Sequence, residues 1–279
     1  MAKKIGLVLE GGAKRGIYTA GVLDVFLEKG IRVDGVIGVS AGAIHGCSYV
    51  SEQIGRSIRY NMQYGNDYRF MSFKSWLKTG NVVDTDFCYH ELPEKLDIFD
   101  NDKFMQSSTA FYVVCSNVET GKPEYIRCHN LFQDIDYLRA SASLPLVSKI
   151  AEVGGKKLLD GGITDSIPLQ AAMDLGYDYN IVVETRPAGY RKKASHLTWL
   201  SALVYRRYPQ FAEAIRNRHL MYNQELDFVE QTAARGQALI IRPSRYIPIK
   251  KMERNLELVK AMYMLGREDA AHIIEQYNL

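Results

Sequence analysis

The sequence predicts an α/β domain built on a parallel sheet, on three observations. Ile5 to Leu9 is a short, continuous apolar run, the pattern of a strand buried on both faces. Directly after it, Ile17, Ala20, Leu23 and Leu27 recur at helical spacing. Val33 to Val39 then repeats the buried-strand pattern, and a second helix begins at Ser40 with Ala41, Ala43 and Ile44 in its first turns. Strand, helix, strand, helix is a βαβ opening, which requires a parallel pair.

Each element has its own signal. Lys29-Gly30 closes the first helix with a cation and a glycine C-cap. Further strands are expected at 111–117, 124–128, 156–159, 180–185 and 238–242, the last followed by Pro243. Helices are expected at 133–141, 169–175 and over much of 197–234, and the tail from Lys251 to Tyr277 reads as two helices broken near Gly266. The turn-rich, basic stretch Pro187 to Ser195 divides the chain loosely. Residues 1–187 form the expected core, and 188–279 a helix-rich extension whose strand near 238–242 is a candidate for joining the core sheet.

Composition narrows the function classes. A chain of 279 residues buries a sizeable core without staples. A net charge of +3 is too small to argue for nucleic acid, so no nucleic-acid partner is expected. The apolar run at the start stops at Glu10, short of a signal-peptide core, and no stretch approaches the roughly 18 apolar residues of a membrane span. The simplest compartment is the cytoplasm. Cys47, Cys88, Cys115 and Cys128 contain no C-x-x-C pair and read as buried free thiols.

Gly38-Val39-Ser40-Ala41-Gly42 is a G-x-S-x-G motif placed between a buried strand and a helix. That context exposes a serine hydroxyl at the sheet edge, with the helix's first amides aimed at developing negative charge. The bland alternative is an N-cap serine in a tight turn. Glu10-Gly11-Gly12-Ala13-Lys14-Arg15-Gly16 is a loop suited to cradling an anion. It is not a P-loop, because Ile17 follows Gly16, and it lacks the middle glycine of a dinucleotide fingerprint. An oxyanion loop is the better reading. Arg15 either polarises that loop or is a solvated charge. Asp160, ahead of Gly161 and Gly162 at the end of a strand, is the candidate base or else a turn cap. Of the histidines, His45 lies five residues past Ser40, His219 and His272 fall in helical patterns, and His196 flanks the basic turn. None sits after a strand in a glycine loop, so a Ser–Asp pair is preferred.

These blocks resemble the patatin-like phospholipases, specifically the bacterial type with a C-terminal extension. The resemblance covers about residues 5 to 186: the glycine loop, Gly38 to Gly42, Ala142-Ser143-Leu144-Pro145, and Asp160-Gly161-Gly162 followed by Pro168. It implies a three-layer α/β/α fold, a Ser40–Asp160 dyad, and hydrolysis of lipid acyl esters with no metal or cofactor. The oxyanion donors would be Gly11, Gly12 and Ala13, with Arg15 and Ala41 as further candidates. Ala13 stands where the family usually has a third glycine, and Asp165 where an asparagine is frequent. The expected partner is a phospholipid or lysophospholipid ester. Peripheral contact at the inner membrane is expected through two aromatic and basic stretches, Arg56 to Lys78 and Trp199 to Tyr222. The alternatives are a thioesterase or acyltransferase using the same pair, and a non-catalytic anion- or nucleotide-binding module.

Overall fold

Alternating residues of the central strands enter two separate cores. Leu7 and Leu9 pack into one, while Val8, between them, packs into the other. A sheet covered on both faces reads as a continuous apolar run for this reason. The computed structural model describes residues 3–195 and 198–277. Its strands are β1 (Ile5–Leu9), β2 (Gly35–Val39), β3 (Ala110–Asn117), β4 (Pro123–Cys128), β5 (Ala151–Val153), β6 (Lys156–Asp160), β7 (Tyr179–Val183) and β8 (Ala238–Ile241). Its helices are α1 (Ile17–Glu28), α2 (Ala41–Val50), α3 (Arg56–Tyr64), α4 (Phe73–Thr79), α5 (Asn101–Gln106), α6 (Leu131–Ser141), α7 (Leu169–Asp174), α8 (Thr198–Val204), α9 (Pro209–Ala234) and α10 (Leu256–Tyr277).

The strands run in the order β5-β6-β3-β2-β1-β7-β8, with β4 also paired to β3. The β1–β2, β2–β3, β1–β7 and β7–β8 pairs are parallel. The strand expected near 238–242 is β8, joined to β7. One core holds α1, α2, α6 and α10 against the sheet, and the other holds α7 and α9. This is the three-layer α/β/α arrangement.

Two expectations need correction. The tail is one helix, α10, unbroken across Gly266. Gly266 marks a helix crossing: a Cβ there would lie 2.1 Å from the Tyr18 carbonyl oxygen, and one at Gly21 would lie 2.1 Å from that of Tyr263. The two glycines face one another across α1 and α10, so the backbones approach more closely than any side chain allows. Tyr263 Oη donates to Asp24 (2.7 Å) beside the crossing. The second correction concerns β6. Asp160, at the carboxyl end of its strand, was expected on the same edge of a mostly parallel sheet as Ser40, and it reaches Ser40 on a strand that is antiparallel to β3.

Replacing Gly266 with Ala tests the crossing. Alanine gains about 1 kcal/mol in helix propensity, but its methyl group meets backbone that cannot turn aside, and overpacking costs about 1–3 kcal/mol. The expected result is a lower midpoint of thermal unfolding by calorimetry. A raised midpoint would mean that the helices separate freely.

Candidate active site

Ser40 and Asp160 meet because β2 and β6 share one edge of β3. In register, Val39 lies opposite Val114 and Asp160 lies opposite the next residue, Cys115. β2 therefore stops where β6 arrives, from the opposite direction, and the two strands end head to head. The Ser40 hydroxyl lies close enough to the Asp160 carboxylate to favour its charged form.

Ser40 has φ 53° and ψ −119°, a left-handed conformation that costs a non-glycine residue about 1–3 kcal/mol. The neighbouring glycines make the turn possible. A Cβ on Gly38 would lie 2.5 Å from Ala43 Cα, and one on Gly42 would lie 2.4 Å from the Leu9 carbonyl oxygen. Ser141 fixes the turn from beneath: its Oγ accepts from the Ser40 N–H (2.8 Å) and donates to the Val114 carbonyl (2.6 Å).

Asp160 is buried, and its Oδ1 accepts from the Gly162 N–H at 2.8 Å. Burial pushes its carboxyl above the ordinary 3.8, while Arg218, the Ser40 hydroxyl, the Gly162 N–H and Lys251 draw it back. Arg218 also anchors the turn, donating from Nε to the Gly162 carbonyl. A carboxylate raised in this way is a better proton acceptor than an exposed aspartate.

The glycine loop flanks the pair. Its N–H groups divide: Gly11 donates to the Ser166 carbonyl (3.4 Å), and Arg15 donates to the Gly12 carbonyl (3.1 Å). Ala13 adopts φ 48°, so the alanine at this position carries the left-handed strain a glycine would avoid. Ala41 opens α2, where the first amides have no intrahelical acceptor. Ala13, Ser40 and Ala41 line one cavity with Tyr89, Leu92 and Leu138, a mainly apolar space that reaches the serine. Lys14 enters the wall of this cavity, bonds Asn61 (2.8 Å), and is lowered to about 8 by burial.

The histidines have other partners. His45 lines the cavity, but its Nδ1 pairs with Ser57 Oγ at 3.0 Å, and burial lowers it to about 3, so it stays neutral. His219 pairs with the Arg216 carbonyl (3.1 Å), and His272 is exposed on α10. His196 lies outside the described residues.

Sequence reasoning missed one whole wall of the site. Arg218, Tyr222 and Glu225 form a stripe along α9. Arg218 holds the Gly162 carbonyl, Tyr222 Oη donates to Glu10 (2.7 Å), and Glu225 accepts from the N–H groups of Ser166 (3.0 Å) and Ile167 (3.2 Å). Glu10 is 1% exposed and also accepts from Thr185 Oγ1 (3.0 Å), tying the end of β1 to that of β7. The expected interfacial stretches are corrected accordingly. Arg218 and Tyr222 belong to the site, Tyr205 and Phe211 are buried, and Tyr60 and Phe70 line the cavity. The polar stripe was hidden inside an ordinary amphipathic pattern, and no spacing rule marks it.

A model described as patatin-like phospholipase matches residues 7–173, and one described as a domain of unknown function (DUF6363) matches 208–278. The uncharacterized protein YjjU of Escherichia coli K12 is 30% identical over 95% of this chain and 75% of its own length. Lysophospholipase nte1 of Aspergillus terreus is 28% identical over 67% of this chain, which spans only 13% of that protein. Among solved structures, VipD from Legionella pneumophila aligns with a TM-score of 0.47 and 12% identity, over 99% of this chain and 67% of its own; a likeness at that level bears no weight here. With most of the chain matched from β1 through α7, it belongs to the patatin-like phospholipases, a family of lipid ester hydrolases.

Proposed function

We propose that the chain cleaves carboxylic esters of phospholipids or lysophospholipids through Ser40 and Asp160, by way of an acyl-enzyme. The observation that carries this reading is the register of β3, which sets the buried Asp160 beside a strained elbow serine that lines an apolar cavity. Asp160 takes the Ser40 proton as Oγ attacks the ester carbonyl, and the acyl chain lies in the cavity. Amides of Gly12, Ala13 and Ala41 are the candidate donors to the oxyanion, whereas the expected donor Gly11 is turned to the Ser166 carbonyl; losing one such donor costs about 3 kcal/mol. Collapse passes the Asp160 proton to the leaving alcohol. Water then attacks the acyl-enzyme, gives its proton to Asp160, and Ser40 departs with that proton. Arg15 feels the charges of Glu10 and Arg186 and does not line the acyl cavity, so we assign it a role outside the oxyanion site.

Membrane contact is a further part of the proposal. α4 exposes Phe73 (64%) and Leu77 (67%), and α8 exposes Trp199 (67%) and Leu203 (60%). The segments that follow both helices hold the loop 142–149: Val82 donates to the Val147 carbonyl (3.0 Å), and Leu146 donates to Tyr205 Oη (3.1 Å). Ala142 and Leu144 of that loop line the cavity, and we take the exposed side chains to lie beside the substrate's route. No helix among the described residues is long and apolar enough to cross a membrane.

A fluorophosphonate probe is expected to label the wild type and not Ser40→Ala. Asp160→Asn is expected to lower kcat by a thousand-fold or more with an unchanged unfolding midpoint; substantial retained turnover would mean that another group is the base. Because Asp160 works as the carboxylate, kcat/KM is expected to fall as pH drops through its raised pKa. Arg218→Gln removes a cation that favours the carboxylate and moves this acid limb to higher pH. An unmoved limb would detach Asp160 from the rate. Phe73→Ser with Leu77→Ser and Trp199→Ser is expected to weaken flotation with phosphatidylglycerol vesicles at least ten-fold, and equal flotation would overturn the membrane contact.

A further inference from the structure

Behind the glycine loop, on the side away from the acyl cavity, cations collect in excess of their counter-ions. Lys14 and Arg15 are neighbours in sequence, yet Lys14 enters the apolar cavity while Arg15 lies within electrostatic reach of Glu10 and Arg186. Arg186 directly follows Thr185 at the Glu10 junction, and its guanidinium stands 4.5 Å over the Tyr190 ring. Tyr190 meets Tyr222 edge-on at 6.1 Å, and Lys192 Nζ lies 4.6 Å from the other ring's centroid. Tyr222 in turn bonds Glu10, so Arg15, Arg186 and Lys192 surround one short segment of the loop. Arg218, one helical turn before Tyr222 on α9, sits against Gly162: a Cβ there would lie 3.2 Å from its guanidinium. Lys251 completes the ring, its backbone carbonyl accepting from the Lys14 N–H at 3.4 Å and its exposed side chain within reach of Arg218, Arg15 and Asp160.

The charges do not balance. Against Arg15, Arg186, Lys192, Arg218 and Lys251 stand Glu10, Asp160 and Glu184 among the described residues, and burial pushes Glu184 up to about 8. Burial and the neighbouring cations push Lys192 down to about 7. Arg15 Nε and Arg186 Nε are both buried without a hydrogen-bond partner. A buried guanidinium N–H left unpaired is costly, and guanidinium groups pair in fork geometry with phosphate oxygens.

We propose that Arg15, Arg186, Lys192, Arg218 and Lys251 form a phosphate-binding site beside the catalytic pair, which makes acyl glycerols bearing a phosphate monoester the preferred substrates. This rests on the reading of Ser40 and Asp160 as catalytic. The scissile ester lies between two subsites, with the acyl chain in the apolar cavity and the phosphate across the glycine loop. A dianion offsets the local excess better than a zwitterionic headgroup, whose own cation would enter a positive field.

The test uses the full chain with three oleoyl substrates in neutral detergent micelles: lysophosphatidic acid, lysophosphatidylcholine and monooleoylglycerol. The wild type is expected to cleave lysophosphatidic acid with kcat/KM at least ten-fold above the other two. Lys192→Gln with Lys251→Gln is expected to lower that preference ten-fold or more, and Lys251→Arg to retain it. Lys251→Gln alone serves if the double variant does not fold. In Ser40→Ala, which binds without turnover, lysophosphatidic acid is expected to bind at least ten-fold more tightly than inorganic phosphate. Cleavage of all three substrates without preference overturns the site, as does a preference that survives both lysine substitutions. Equal binding of inorganic phosphate overturns the headgroup assignment in favour of a free anion. Failure to cleave any substrate, with no fluorophosphonate labelling of Ser40, sinks the catalytic reading itself, while the binding measurement still reports on the cations.

Discussion

The site depends on a single strand edge that two other strands share. β3 carries β2 along its first residues and β6 along its last, so Val114 and Cys115 are adjacent positions with partners 121 residues apart in sequence, Val39 and Asp160. No loop needs to bring serine and aspartate together, since the hydrogen-bond register of β3 sets their separation. Ser141 makes the arrangement stiffer by joining the Val114 carbonyl to the Ser40 amide through one hydroxyl. A slip of one residue in either pairing would reverse which face Asp160 or Val39 presents, and the apolar faces of both strands oppose such a slip.

The strain at Ser40 and Ala13 is sustained by close backbone contact on either side. Gly42 lets the start of α2 press on the end of β1, and Gly38 lets β2 pass beneath Ala43. The serine is thus gripped between strand and helix while its hydroxyl faces the cavity. Glu10 performs a related task in polar form. One buried carboxylate accepts from Tyr222 and Thr185, which fixes the far end of the glycine loop to β7 and α9.

Much of this was legible in the sequence, and the remainder was hidden for identifiable reasons. The strands β1, β2 and β7 announced themselves as apolar runs because both faces are covered. Ser40 and Asp160 stood out because glycines surround them. β6 was expected beside Ser40 for an incorrect reason, since apolar patterning carries no strand direction. Gly266 was read as a break because a glycine weakens a helix, yet here it permits the contact with α1 that holds α10 in place. Arg218, Tyr222 and Glu225 could not be singled out, because polar residues on a helix ordinarily face water and only the folded chain reveals what opposes them.

The reach of Glu10 bears on how the molecule is made. Its partners Thr185 and Tyr222 lie 175 and 212 residues downstream, and Asp24 waits for Tyr263, 239 residues away. A chain emerging from the ribosome presents the elbow serine early, but the carboxylate behind the glycine loop stays unsatisfied until most of the polypeptide has been synthesised. Contacts of such long range are slow to form, since loop closure precedes any gain from them. The β1-α1-β2 unit therefore matures only after the segments downstream of it have been made. The glycine loop beside the elbow serine is thus held in place only once α9 has joined it.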